Sequence, residues 1–305
     1  MKVLIIGLGS IAQKHIHVLN ELVPEIELYA LRSSKPASDQ ENIKNLYNWE
    51  DLDSLDFHFA LVSSPSIFHL DHIEKLLSLN IPLIVEKPLF VNKQQIERFE
   101  QIFNNQSLIY VACNFRFHPL IEYIKEYLNN HMSKINEVNA YCGSFLPDWR
   151  PSADYRQVYS ARNELGGGVH LDLIHEPDYL VHLFGMPKST RSNHRKVSNL
   201  EIDTFDTSNY LFQYDSFQAQ VCLNYFRKDT KRTLEIIREN DTLLVDFVSW
   251  QIKDLTQDKI IFEDDERSIY TTYKKQMKYF LSCIEKKQVP LNNAFEAIEI
   301  LKCVL

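Results

Sequence analysis

Residues 2–32 read KVLIIGLGSIAQKHIHVLNELVPEIELYALR, and the pattern divides itself into three parts. KVLII (2–6) is a short apolar run suited to a strand buried on both faces. GLGSIAQKHIHVLNEL (7–22) is a turn opening into a helix, and IELYALR (26–32) is a second strand. Gly7, Gly9 and Ala12 fit G-x-G-x-x-A at the strand-to-helix junction. Gly7 permits the tight turn, Gly9 lets the backbone approach a pyrophosphate, and Ala12 allows close helix–strand packing. The N–H groups at the helix start, Ser10, Ile11 and Ala12, sit at the positive end of the helix dipole and suit that anion. The unit predicts dinucleotide binding.

The end of the second strand reports which dinucleotide. An NAD site usually places a carboxylate there for the ribose 2′-hydroxyl. Here the residues are Leu31, Arg32, Ser33, Ser34 and Lys35. Arg32 can stack on adenine and pair with a 2′-phosphate, and Ser33 and Ser34 can donate to its oxygens. NADP(H) is the expected cofactor; a solvated Arg32 with NAD accepted is the alternative.

Further apolar runs and helical patterns alternate through DFHFALVSS, PSIFHLDHIEKLLSLN, IPLIV, NKQQIERFEQIF and SLIYVACN. This alternation predicts a doubly wound parallel sheet, with ligands at the carboxyl ends of its strands. Ser63-Ser64-Pro65, Glu86-Lys87-Pro88 and Asn114-Phe115-Arg116 fall at those ends. Ser64, Pro65, Glu86, Lys87 and Asn114 are therefore candidate cofactor contacts, with His69 from the helix after the first of these segments. The expected division is a nucleotide-binding domain over 1–118 and a second domain over 119–305. In the second, TRSNHRKVSNLEI, TFDTSNYLFQYD, SFQAQVCLNYF, KRTLEIIREN and DTLLVDFVSW are strand-like runs, followed by two closing helices.

Composition excludes several function classes. A length of 305 residues with 45% hydrophobic side chains allows two real cores. A formal charge of −8 argues against a general nucleic-acid binder. The longest apolar runs fall far short of the roughly 18 residues of a membrane span, and the amino-terminal pattern is not that of a signal peptide. The five cysteines are odd in number and widely spaced, which predicts free thiols and a cytoplasmic protein.

Only seven glycines occur in the chain, yet three stand together in GGGVHLDLIHEPDYL (166–180). His175, Asp178 and His182 share a helical face, with Asp172 a turn before, and could make a His₂-carboxylate metal site. HEPDYLVH is not H-E-x-x-H, however, and no metal is expected. No G-x-S-x-G elbow supports a hydrolase.

GLGSIAQKH, VSSPSIFHLDHI, VEKPL, CNFRFHP and GGGVHLDLIHEPDY together resemble the glucose–fructose oxidoreductase / myo-inositol dehydrogenase (Gfo/Idh/MocA) family. FLPDWRPSADYR (145–156) further resembles a subgroup associated with surface-sugar biosynthesis. The resemblance implies an N-terminal Rossmann domain and a C-terminal domain on a large, mostly antiparallel open sheet, often an oligomer interface. It implies Lys87 near the nicotinamide and the reacting hydroxyl, where its ammonium stabilises developing alkoxide; Glu86 could pair with it. It implies Asp172 and His175 on one helix face, His175 relaying the hydroxyl proton and Asp172 orienting the substrate or His175. The two are three residues apart here, against four in the common family pattern. Asn114 lies near the nicotinamide by the same likeness.

Arg116 could order the site or touch substrate, while His118 reads as structural. Trp149 and Tyr155 could stack on a sugar ring, and Arg150 and Arg156 could fork to hydroxyls, a carboxylate or a phosphate; a structural Ω-loop is the alternative. The expected protein is an NADP(H)-preferring oxidoreductase acting on a hydroxyl or keto carbon of a sugar derivative, in a homo-oligomer (dimer or tetramer); the subgroup likeness suggests a nucleotide-linked sugar. A cyclitol, dihydrodiol or tetrapyrrole substrate, and a non-catalytic nucleotide-binding scaffold, are the alternatives.

Overall fold

The computed structural model describes residues 1–32, 42–103 and 107–305. They form two compact units, Met1–Asn114 with Tyr273–Glu299, and Phe115–Thr272 with Ile300–Leu305. The first unit thus takes in a late segment that the sequence reading assigned to the second domain.

The first unit is a six-stranded parallel sheet. Its strands are β1 (Lys2–Ile6), β2 (Glu27–Leu31), β3 (Ile43–Leu46), β4 (Phe59–Val62), β5 (Leu83–Glu86) and β6 (Ile109–Ala112), in the order β3-β2-β1-β4-β5-β6. Val3, Leu4 and Ile5 are wholly buried, as a strand covered on both faces requires. Ile6 pairs with Leu31 on one side and Val62 on the other, so the strand order reverses at β1 and opens a crevice at the carboxyl ends. Helix α1 (Ser10–Leu22) buries Ala12, His15, Ile16, Val18 and Leu19. Helices α2 (His69–Leu77) and α3 (Lys93–Ile102) follow β4 and β5. Asn92 caps α3, its side chain accepting from the Gln95 N–H at 2.9 Å, a bond of the kind that contributes about 1 kcal/mol.

Edge strand β6 is covered. The Val111 N–H donates to Asn292 O at 2.9 Å, and Asn292 Nδ2 donates back to Val111 O at 2.8 Å. That pairing removes an exposed sheet edge and ties Tyr273–Glu299 to this unit.

The second unit carries an eight-stranded sheet in the order β14-β13-β12-β11-β7-β10-β9-β8. The strands are β7 (Ile135–Phe145), β8 (Ser189–Arg195), β9 (Thr207–Gln213), β10 (Gln218–Asn224), β11 (Phe226–Arg238), β12 (Thr242–Asp246), β13 (Gln251–Asp254) and β14 (Lys259–Glu263). Only the β7–β10 pairing is parallel, which makes the sheet mostly antiparallel, as expected. Along β7, buried Val138, Ala140 and Cys142 alternate with half-exposed Asn139 and Tyr141, the period of a sheet with one covered face. Three helices belong to this unit: α4 (Pro119–Asn130), α5 (Val169–Asp172) and α6 (His175–Phe184). The closing helices run over Ile269–Lys286 and Ala294–Val304. All five cysteines are free thiols, and among the described residues no helix is long and apolar enough to cross a membrane.

Candidate active site

In the first unit the glycine turn joins β1 to α1. Gly7 has φ +91°, and a Cβ there would lie 2.6 Å from the backbone nitrogen of Ser64. Only glycine fits, both for the torsion and for the approach of the neighbouring loop. Gly9 is different. It precedes α1 with ordinary extended torsions, and a Cβ on it would meet no protein atom within 4 Å. The space above Gly9 is open, beside the helix-start N–H groups of Ser10, Ile11 and Ala12, which have no partner within the helix. Such a helix start suits an anion such as a pyrophosphate.

The other polar segments converge on the same strand ends. Arg32 follows β2 and is half-buried; its N–H donates to Leu46 O at 2.9 Å. Ser33 and Ser34 lie outside the described residues. Ser63 Oγ donates to Gly7 O at 2.9 Å, which locks the loop after β4 onto the glycine turn. Ser64 Oγ bonds His72 Nδ1 at 2.9 Å, and Pro65 is exposed. His69 is fully buried: its Nε2 lies 2.9 Å from Ser64 O and its Nδ1 3.1 Å from Pro88 O. It therefore joins two loops and is not open to a ligand.

Glu86 ends β5, 7% exposed. His15 Nε2 lies 2.6 Å from Glu86 Oε1, and the Lys87 N–H donates to Glu86 Oε2 at 3.2 Å. The carboxylate thus holds the Lys87 backbone from behind. Lys87 itself is half-buried, and the Lys87–Pro88 peptide is cis. Asn114, 5% exposed, closes this unit just after β6. Sequence reading missed His15; its buried place in the periodicity of α1 was the available signal.

In the second unit, Asp172 and His175 do not share one helix. Asp172 ends α5 and His175 begins α6, with Leu173 and Ile174 between them. Pro177 causes the break: without an N–H it cannot serve the carbonyl four residues back. Starting α6 at His175 puts Pro177 in the first turn, where that N–H is not needed. Asp172 is 9% exposed and accepts a 2.6 Å hydrogen bond from the Tyr225 hydroxyl. Burial, reinforced by the Asp172 charge, pushes the Tyr225 pKa well up, so the phenol remains a donor. Half-buried His175 stacks on Phe115 at 4.8 Å, and the Arg232 guanidinium lies 3.7 Å from the centre of that same ring. Arg232 Nε donates to buried Glu176 at 2.6 Å. Burial opposes the Arg232 charge, but Glu176 outweighs it and the pKa is raised. Tyr225, in the bend between β10 and β11, and Arg232, on β11, lie far along the chain, and nothing in the local pattern marks them.

Arg116 is 4% exposed and makes a bidentate pair with Asp178, Nη2–Oδ1 at 2.8 Å and Nε–Oδ2 at 2.9 Å. Of its two expected roles, ordering the site fits this geometry and reaching substrate does not. His118 caps α4, its Nδ1 accepting from the Leu120 N–H at 3.2 Å. Asp178 is thus paired with Arg116, and His182 Nε2 lies 3.1 Å from Lys125 Nζ. Burial first, then Arg116 and Lys125, lower the His182 pKa to about 3. Among the described residues no group of three or more His, Cys, Asp or Glu could hold a metal.

The segment before the glycines is a chain of short 3₁₀ turns between Leu146 and Leu165. Trp149 is 39% exposed; its indole N–H donates to Ser144 Oγ at 2.8 Å and its ring meets Tyr225 edge-on at 5.3 Å. Trp149 and Asp172 thus share Tyr225. Arg150 is exposed. Tyr155 Oη accepts from the Glu201 N–H, and Arg156 forks to Asp154 and reaches Glu201. The glycines serve the fold of this segment: a Cβ on Gly167 would lie 2.2 Å from Tyr159 O, while Gly166 and Gly168 have φ +82° and +121°. Gly167 is thus packed on the loop's own backbone, and Gly168 against the His170 ring.

A parallel sheet of this order, with an open glycine cradle at its switch point, defines a dinucleotide-binding protein. Residues 1–115 match the oxidoreductase family with the NAD-binding Rossmann fold, Gfo/Idh/MocA. That match covers the first 115 of the 305 residues. A relative is the dTDP-3,4-didehydro-2,6-dideoxy-alpha-D-glucose 3-reductase of Actinomadura kijaniata, 25% identical over 186 residues, covering 57% of this chain and 52% of that protein. The likeness thus spans about half the length of that relative. The myo-inositol 2-dehydrogenase of Lactobacillus plantarum superposes with a TM-score of 0.81 at 15% identity, covering 100% of this chain and 95% of the other. The WlbA dehydrogenase of Bordetella pertussis, solved with NADH and UDP-GlcNAcA, gives 0.80 at 14% identity, covering 98% and 93%. These two likenesses concern the fold.

Proposed function

We propose that the protein is a dehydrogenase or reductase that transfers a hydride between NADP(H) and a hydroxyl or keto carbon of a sugar derivative. The observation that carries the reading is Lys87: an amine at the carboxyl end of β5, held from behind by Glu86, in the unit that has the Gly9 cradle. The bound nicotinamide would give or take the hydride. Lys87 would stabilise negative charge on the reacting oxygen. In the second unit His175 would move the hydroxyl proton, with Asp172 orienting it or the substrate. The relative that reduces a dTDP-sugar supports a nucleotide-linked sugar as substrate. Trp149 and Arg150, both exposed, would contact that substrate, and Tyr155 and Arg156 would do so only from their bonds to Asp154 and Glu201. Arg32, with no carboxylate at the end of β2, favours NADP(H) over NAD.

A fluorescence titration with NADPH and, separately, NADH tests the cofactor; tighter NADH binding would overturn the role given to Arg32. A panel of nucleotide-linked sugars, followed at the nicotinamide absorbance, tests the substrate. In that assay Lys87→Ala abolishes turnover and leaves nucleotide binding intact; an unchanged rate would refute the role of Lys87. We further assign the protein to the cytoplasm, in keeping with its free thiols. A homo-oligomer would use the half-exposed sheet face bearing Asn139, Tyr141 and Cys222, and light scattering tests it.

A further inference from the structure

Three loops at the carboxyl ends of β1, β4 and β5 form one hydrogen-bonded assembly, and two buried histidines complete it. His15 is 0% exposed on α1, the helix that starts at the Gly9 cradle. Its Nε2 faces Glu86 Oε1 at 2.6 Å, and because the carboxylate accepts, the ring donates. Its Nδ1 is buried with no partner, so the Glu86 contact is the bond that holds the ring. Tyr273 meets the ring edge-on at 5.5 Å and closes off its other side. The other carboxylate oxygen, Glu86 Oε2, accepts the Lys87 N–H.

His69 grips the same turn one residue later. It is 0% exposed, with Nε2 on Ser64 O at 2.9 Å and Nδ1 facing Pro88 O at 3.1 Å and Leu89 O at 3.3 Å. Whichever nitrogen carries the proton, the ring donates to one of the two loops; doubly protonated, it donates to both. Ser64 in turn lies against Gly7, and Ser63 Oγ is bonded to Gly7 O. Lys87 thus stands between two buried clamps, one leading to α1 through Glu86 and one to the glycine turn through the Ser63-Ser64 loop.

We propose that His15 and His69 are positioning residues that fix the Lys87 turn to the nucleotide-binding turn, so that Lys87 is held in place by the elements that seat the pyrophosphate. The purpose of this placement rests on the catalytic role proposed above for Lys87, whereas the placement itself is testable without turnover.

The test uses the full-length protein with its amines reductively ¹³C-methylated, the Lys87 signal being assigned by its loss in Lys87→Arg. NADPH is the probe. Saturating NADPH is expected to shift the Lys87 signal. In His15→Phe and His69→Phe, which keep a ring and lose the donor, the Lys87 signal is expected to move toward that of exposed lysines and its NADPH response to shrink, while other lysine signals stay. His15→Gln and His69→Gln, whose amides still donate, should recover part of both effects. A merely structural role would lower the unfolding midpoint without singling out Lys87. An unmoved Lys87 signal in both Phe variants overturns the proposal. If these variants fail to fold, His15→Leu and His69→Leu, which also lack the donor, take their place, and unmoved Lys87 signals in both do the same. Absence of NADPH binding would count against the proposed function, and the nucleotide-free Lys87 signal would still decide the clamp. With a substrate in hand, the Phe variants should lose about tenfold to a hundredfold in kcat, with KM for NADPH unchanged.

Discussion

Tyr225 holds Asp172. The phenol is wholly buried and its hydroxyl lies 2.6 Å from Asp172 Oδ2, so a carboxylate only 9% exposed has a fixed donor. A hydrogen bond to a charged group contributes on the order of 1.5–3 kcal/mol. Tyr225→Phe keeps the ring against Trp149 and removes that bond. The expected result is a urea unfolding free energy lower by an amount in this range and a fall in kcat, with NADPH affinity unchanged. Equal stability of the variant would show that water replaces the phenol and that Tyr225 does not hold Asp172.

The two glycines of the turn should behave differently. Gly7→Ala forces a Cβ to 2.6 Å from Ser64 N at φ +91° and should destabilise the first unit outright. Gly9→Ala meets no protein atom, so its cost to the fold should be at most about 1 kcal/mol, an N-cap preference. Its methyl occupies the pyrophosphate space, and NADPH affinity should fall at least about tenfold, or roughly 1.4 kcal/mol. Calorimetry on both variants checks this. Undiminished affinity in Gly9→Ala would place the nucleotide elsewhere.

These glycines show how much was legible beforehand. A strand buried on both faces, a glycine turn and an amphipathic helix are local patterns, and the first sheet followed from them except for its edge strand β3, whose IKNL carries two polar residues in four. The second sheet was read only in part. β7, its alternation masked by polar residues such as Asn139 on the half-exposed face, was not recognised, nor were short β13 and β14. Site partners were harder still. Arg116 and Asp178 are 62 positions apart, and Tyr225 and Asp172 are 53. No local period encodes such pairs; they exist because the fold brings distant strands and helix ends together. Pro177, which has no N–H, interrupts the helix, and the structure starts a new one at His175.

The Arg116–Asp178 pair, with side chains 3% and 2% exposed, should be costly to break from one side. Removing one partner leaves a buried charge, typically worth about 3–5 kcal/mol. Asp178→Ala should therefore lower the unfolding free energy by that order, and Arg116→Met with Asp178→Leu together by much less. A double-mutant cycle in urea measures the coupling. Additive single effects would mean that the pair is solvated in solution.

Burial, then the neighbouring His194, lowers the His170 pKa to about 3 from an ordinary 6.5, and His182 is likewise lowered to about 3. In the unfolded chain both rings take up protons as pH falls through about 6.5, whereas in the folded protein they remain neutral until about 3. The unfolded state then binds more protons, so stability must fall as pH drops across that window. His170→Gln removes one of the two groups, and its plot of unfolding free energy against pH should be flatter between about 6 and 4 than that of the unaltered protein. Gln at this position still offers a polar group beside Gly168, where the His170 ring lies 2.8 Å from where a Cβ would stand, so the comparison is made on slopes rather than on absolute stabilities. Parallel slopes would mean that His170 takes up its proton in the folded state near its ordinary pKa, and that the pocket it shares with His194 and Phe205 opens to water.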